Sequence, residues 1–217
     1  MKFWSPRSAL APIAPLGGQG ILGNGPANAL MQARQQLALY LQRFPAEAAR
    51  LAALRAQLDE DAGDPLSRAN MRGHVTTSAL VLDASLRHIL LIHHRVIGRW
   101  LQPGGHYEPG QDLWGSALRE VAEETGVTDL AAHPAWGQAL PLDIDSHPIA
   151  ANPKKGEGDH WHHDYAYLVI APLTQDLAPQ LAEVHGAAWR PLDEYLAASD
   201  EARYRGLAAK LQALRFS

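Results

Sequence analysis

Hydrophobic and polar positions along the chain change their period at about residue 74. Before it, Ala29 to Tyr40 and Ala46 to Leu58 are rich in Ala, Leu, Gln and Arg, with apolar residues three and four apart, the spacing of helices that bury one face. Pro45 stands where a second helix would begin, since proline's missing amide costs little in a first turn. A helical hairpin is therefore expected, used either for packing or as a homodimer contact. After it, Val75 to Leu82 and His88 to His93 are β-branched or apolar runs separated by Asp83-Ala84-Ser85, which predicts two adjacent strands joined by a turn. Further strands are expected at Trp136 to Leu142, Asp164 to Ala171 and Ala187 to Arg190, with helices at Leu113 to Thr125 and in the terminal segments.

The N-terminal stretch breaks this order. Ser5 to Gly25 is dense in Pro and Gly, including Gly17-Gly18-Gln19-Gly20 and Gly23-Asn24-Gly25, which argues against regular structure. The chain thus divides into a flexible leader over 1–28, a helical extension over 29–68 and a mixed α/β domain over 69–217.

Composition narrows the function. With 47% hydrophobic and 19% charged residues, the 217-residue chain has the make-up of a soluble globular protein. A net charge of -4 supplies no basic footprint for a long nucleic acid. The absence of cysteine excludes disulfides, thiolate metal sites and thiol nucleophiles. No run approaches the roughly 20 apolar residues of a membrane span, and Pro12 and Pro15 interrupt what would be a signal peptide. A cytoplasmic protein with no membrane partner is expected.

The chemistry concentrates between the second strand and the following helix. Gly104-Gly105 permits a sharp backbone turn, Pro109-Gly110 marks another, and Gly126 is placed to end the helix in a left-handed cap. On the helix, Glu120, Glu123 and Glu124 are three and four apart and share a side. Carboxylates about 4 Å apart repel by roughly 4 kcal/mol at an effective dielectric near 20, so the trio favours protonation or a bound cation. Oxygen donors of this kind select magnesium or manganese. Taken alone, glutamates at this spacing on a helix describe a solvated face. That reading accounts for neither the upstream glycines nor their register.

Together these residues resemble the box of the Nudix hydrolases: G, five residues, E, seven residues, R-E, an apolar residue, any residue, E-E, any residue, G and an apolar residue. From Gly105 to Val127 the match has no gap. Gly105, Arg119, Glu120, Val121, Glu123, Glu124, Gly126 and Val127 agree, and Gln111 stands where the pattern has Glu. The resemblance implies a mixed sheet sandwiched between helices. It further implies that Glu120, Glu123, Glu124 and the Gly105 carbonyl hold Mg2+ or Mn2+, that Arg119 orients the glutamates, and that one glutamate helps deprotonate water. The implied reaction is hydrolysis of a phosphoanhydride in a small nucleotide-like diphosphate, NDP-X to NMP and X-phosphate. Gln111 and the extra helices motivate an alternative, a catalytically weak regulatory module that binds nucleotide. An isoprenoid diphosphate isomerase of similar fold relies on cysteine, which is absent.

Outside the box, His147, His160, His162 and His163 crowd one region of a chain with 11 histidines. On a strand His162 and Asp164 share a face. They are read as substrate contacts, a proton donor or an additional metal ligand, against the alternative of a polar strand edge. Glu183, ahead of the last strand, is a further substrate-binding candidate. Lys154 and Lys155 could meet phosphate, though lysines in such a loop are commonly just solvated. Trp100 and Trp189 are candidates to stack on a base, or are ordinary core residues.

Overall fold

The computed structural model describes residues 26–60, 63–153, 156–182, 184–198 and 202–215. The expected leader over 1–28 falls almost wholly outside them, as do Lys154, Lys155 and Glu183. Among the described residues, five α-helices, α1 (Pro26–Arg43), α2 (Ala52–Glu60), α3 (Leu113–Thr125), α4 (Leu192–Ala197) and α5 (Ala202–Arg215), accompany eight strands. The strands are β1 (Gly73–Leu82), β2 (His88–His94), β3 (Trp100–Leu101), β4 (Gly104–His106), β5 (Ala131–Ala132), β6 (Asp143–Ile149), β7 (His160–Ile170) and β8 (Val184–Pro191). They form one mixed sheet with the path β3-β2-β1-β7-β5, while β4 joins β1, β6 joins β7 and β8 joins β2.

The centre of the sheet is the parallel pair β1 and β7, in register from Gly73 opposite Trp161 to Leu82 opposite Ile170. β1 is buried along its whole length, as expected of a strand covered on both faces. Side chains alternate between those faces. On one, Thr77 Oγ1 donates to Ser116 Oγ of α3 at 2.9 Å, Tyr165 donates to the Ala33 carbonyl of α1 at 3.0 Å, and Tyr167 donates to Gln36 Oε1 at 2.7 Å. On the other, Ser78 lies near Gln102, which accepts from Tyr195 of α4 at 2.8 Å. The sheet is thus enclosed by α1 and α3 on one side and by α4, with α5 beside it, on the other.

The N-terminal helices are integral to this core. Ala33, Tyr40, Leu51 and Leu54 are fully buried in the same cluster as the sheet residues. A buried ionic cluster also ties the elements together. Asp143 of β6 accepts from Arg203 at 2.6 Å and from Arg50 at 2.8 Å, and Lys210 lies 3.3 Å from it. Glu47 contacts Arg50 and Lys210, Asp145 contacts Arg203 at 3.1 Å, and Tyr40 donates to Asp143 at 3.0 Å. Burial alone would raise the Asp143 carboxyl, but Arg203, Lys210 and Arg50 pull it down to about 2.

One expected element is wrong. Trp136 to Leu142 is a loop in which Trp136, Leu140 and Leu142 are buried, and the strand begins only at Asp143. Gly137 adopts φ 80°, the Trp136 indole turns back to the Leu140 carbonyl at 2.8 Å, and Pro141 has no amide to give a ladder. Its apolar residues are core without being strand. β7, conversely, begins four residues earlier than the expected Asp164 and takes in the histidines.

Candidate active site

Helix α3 starts and stops where its flanking residues dictate. Asp112 accepts from Gly115 N at 2.7 Å as the N-cap, and Gly126 closes the helix at φ 77° with its amide bonded to the Ala122 carbonyl. This fixes the helix against β4, which pairs antiparallel with β1 through Gly104 opposite Ser78 and Gly105 opposite Thr77.

Two close approaches shape the carboxylate end. The Gly104 amide donates to Glu124 Oε2 at 2.9 Å. A Cβ at Gly105 would stand 2.5 Å from Glu120 Oε1, so no larger residue admits the carboxylate there. Glu120 and Glu124 are buried, 8% and 4% exposed. Glu123 faces outward, its side chain 49% exposed. The structure therefore brings Glu120 and Glu124 to the glycine pair and leaves Glu123 at the margin, a less even trio than helical spacing suggests.

Arg119 binds these parts together. Its Nη1 donates to Glu123 and its Nη2 to Glu120, each at 2.7 Å, and Nη2 also reaches the His106 carbonyl at 3.2 Å. With the Gln111 amide turned so that its nitrogen faces Gly115 O at 3.2 Å, its oxygen accepts from Arg119 Nε at 2.9 Å. Exposed Glu108 lies 3.8 Å from the same nitrogen. Burial works against the guanidinium's charge, but Glu120, Glu123 and Glu108 hold its pKa above the usual value. Two buried carboxylates beside a glycine backbone, with a third at the rim, are a hard-oxygen donor set that fits magnesium or manganese.

His162 and Asp164 do share a face of β7, yet they have different surroundings. Asp164 is buried and accepts from Ser78 Oγ at 2.6 Å and Thr76 Oγ1 at 3.2 Å, and burial pushes its carboxyl up. His162 is half-buried among His74, His106, His147 and His160. Burial first, and then those imidazoles, drive it down to about 2, so its ring is neutral. His163 points the other way, to Gln57 Oε1 at 3.1 Å. Trp100 carries the Arg190 guanidinium 4.7 Å above its ring and Trp189 packs on the core, so both take the ordinary structural role.

Sequence reading missed His74, Thr76 and Ser78. They lie on an apolar-looking strand, and only the β1–β7 register sets them beside the residues it singled out. A hollow of about 730 Å3 bordered by Arg87, His88 and Arg215 adjoins the turn that follows β1.

Comparison with known proteins identifies a family. The NUDIX domain family model matches residues 72–211. Nudix hydrolase 6 of Arabidopsis thaliana is 28% identical over 138 residues, 59% of this chain and 42% of that protein. The m7GpppN-mRNA hydrolase NUDT17 of Bos taurus is 28% identical over 194 residues, 80% of this chain and 62% of that protein. The chain therefore spans less than two thirds of either relative's length. An Ap4A hydrolase of C. elegans, solved as a binary complex, is 20% identical with a TM-score of 0.47, covering 64% of this chain and 96% of that one.

Proposed function

Because the chain belongs to the NUDIX domain family, we propose that it hydrolyses a phosphoanhydride bond in a nucleoside diphosphate derivative, with Mg2+ or Mn2+ held by Glu120, Glu123, Glu124 and the Gly105 carbonyl. Water adds to one phosphorus, the bridging P–O bond breaks, and the products are NMP and X-phosphate. The observation that carries this reading is the burial of Glu120 and Glu124 against Gly104 and Gly105. Carboxylates gathered beside one stretch of backbone repel one another, and a divalent cation held among them offsets that repulsion.

When bound, the metal offsets charge developing on phosphate oxygens and supplies an activated water. The protein's own contribution is positional. Arg119 holds Glu120 and Glu123 in one orientation through separate nitrogens, while the Gly104 amide fixes Glu124. One of the glutamates accepts the proton of the attacking water. A cytoplasmic setting belongs to the same proposal.

Gln111 does not favour a binding-only module, because its oxygen can serve Arg119 as a carboxylate would. The decisive assay is a panel of nucleotide sugars, dinucleoside polyphosphates, capped and oxidised nucleotides, each with Mg2+ or Mn2+. Turnover of one class is expected to require the metal. Glu124→Gln should keep the fold and lower that turnover by on the order of a hundredfold or more. Unchanged turnover in that variant rules out the carboxylate site.

A further inference from the structure

Five histidines from four strands meet on one face of the sheet: His74 of β1, His106 of β4, His147 of β6, and His160 and His162 of β7. The register explains the meeting, since His162 lies directly opposite both His74 and His147, and His106 lies opposite Thr76. The ring centroids of His74 stand 5.0 Å from His160 and 4.8 Å from His162.

The nitrogens of three of them converge. His74, His160 and His162 each offer one ring nitrogen, all within 4.8 Å of one another. Their tautomers follow from their outer partners. His74 Nδ1 lies 3.3 Å from the Asn70 carbonyl and His160 Nδ1 2.7 Å from the Gly158 carbonyl. A carbonyl only accepts, so both Nδ1 atoms carry hydrogen and both neutral rings present a bare lone pair at Nε2. His74 is 1% exposed, and its Nε2 is a buried atom without a hydrogen-bond partner among the described residues. His160 Nε2 stands 3.3 Å from His162 Nε2. Two nitrogens on a tetrahedral zinc, each about 2.0–2.1 Å from it, are separated by about that same distance.

We propose that His74, His160 and His162 form a site for one first-row transition cation of the zinc class, separate from the carboxylate site of α3. Imidazole nitrogen suits zinc, whereas magnesium prefers oxygen, so the two sites differ in the ion they select. The Asn70 and Gly158 carbonyls are the outer partners that orient metal-ligating histidines. A bound ion would fasten β1 to β7. His106 borders both sites, with its ring against His74 and His162 and its carbonyl on Arg119.

The test uses the untagged full chain, stripped with chelator and desalted, then titrated with Zn2+ against a chromophoric chelator in excess Mg2+. One equivalent of zinc is expected, and Co2+ should give the intense visible bands of a four-coordinate ion. His162→Asn and His74→Asn should each weaken zinc binding about a hundredfold or more, and Glu124→Gln should leave it unchanged. Failure of the folded wild-type chain to retain zinc overturns the proposal. So does a His162→Asn protein that binds as tightly as wild type, and this half-buried position decides the matter even where the buried His74 variant does not fold. Zinc is read here without turnover, so a negative result leaves the anhydride reading standing.

Discussion

The side-chain oxygen of Gln111 lies 2.9 Å from Arg119 Nε when its amide nitrogen is turned toward Gly115 O. The one departure from the box therefore still provides the acceptor that its place calls for. Arg119 consequently has acceptors on all three of its nitrogens, from Gln111, Glu120 and Glu123.

From this contact, Gln111→Glu should change turnover within roughly tenfold, because a partly exposed ion pair contributes only about 0 to 1 kcal/mol over the bond it replaces. Steady-state kinetics on whichever substrate the panel identifies would measure it. A gain of a hundredfold or more would mean that a carboxylate at 111 is a missing catalytic ligand.

The N-terminal helices lead to a second expectation. Leu51 and Leu54 are fully buried, and Tyr165 and Tyr167 of the central strand bond to α1. Deleting the residues before Arg68 should therefore strip one face of the sheet and abolish cooperative unfolding, not merely alter solubility or assembly. Each lost leucine alone is worth about 2–5 kcal/mol. A soluble truncation that melts sharply in circular dichroism would show instead that these helices are dispensable.

The ionic cluster at Asp143 makes stability depend on acid. The groups facing it are Tyr40, Glu47, Arg50, Asp145, Arg203 and Lys210. A carboxyl depressed in the folded state contributes stability that is fully present above its unfolded pKa, near 3.8, and is lost as pH falls through about 2. Asp143→Asn should cost about 3–5 kcal/mol at neutral pH, because it removes the buried carboxylate that Arg203, Arg50 and Lys210 share. That gap should narrow by about 2 kcal/mol between pH 4 and pH 2. Urea unfolding at stepped pH would show it, and a gap that stays constant to pH 2 would mean the carboxylate is not what these cations stabilise.

The box was legible in the sequence because its geometry is local. Gly126 ends α3 by its own backbone freedom, and Glu120 and Glu124 are set on one side by helical spacing alone. β4 was not legible, since Gly104 and Gly105 have little strand preference and become a strand only because β1 lies alongside. Trp136 to Leu142 misled for the opposite reason: apolar residues buried in a loop look like those of a strand until Gly137 and Pro141 are weighed. Glu123, by contrast, lies exposed at the margin with Arg119 bonded to it, a difference among the three glutamates that their spacing did not announce. His74 gave no local sign at all, because its neighbours come from the far half of the chain.

That distance in sequence has a consequence in time. Thr76 and Asp164 touch across the central pair although they are 88 residues apart. Closing so long a loop is entropically costly, and parallel strands cannot pair by a short hairpin, so contacts of this kind form slowly. As a nascent chain emerges, α3 and its glutamates can take shape while β1, with apolar runs on both faces, still waits for β7. The segment most exposed to wrong partners during synthesis is thus the one that becomes the most deeply covered strand of the finished protein.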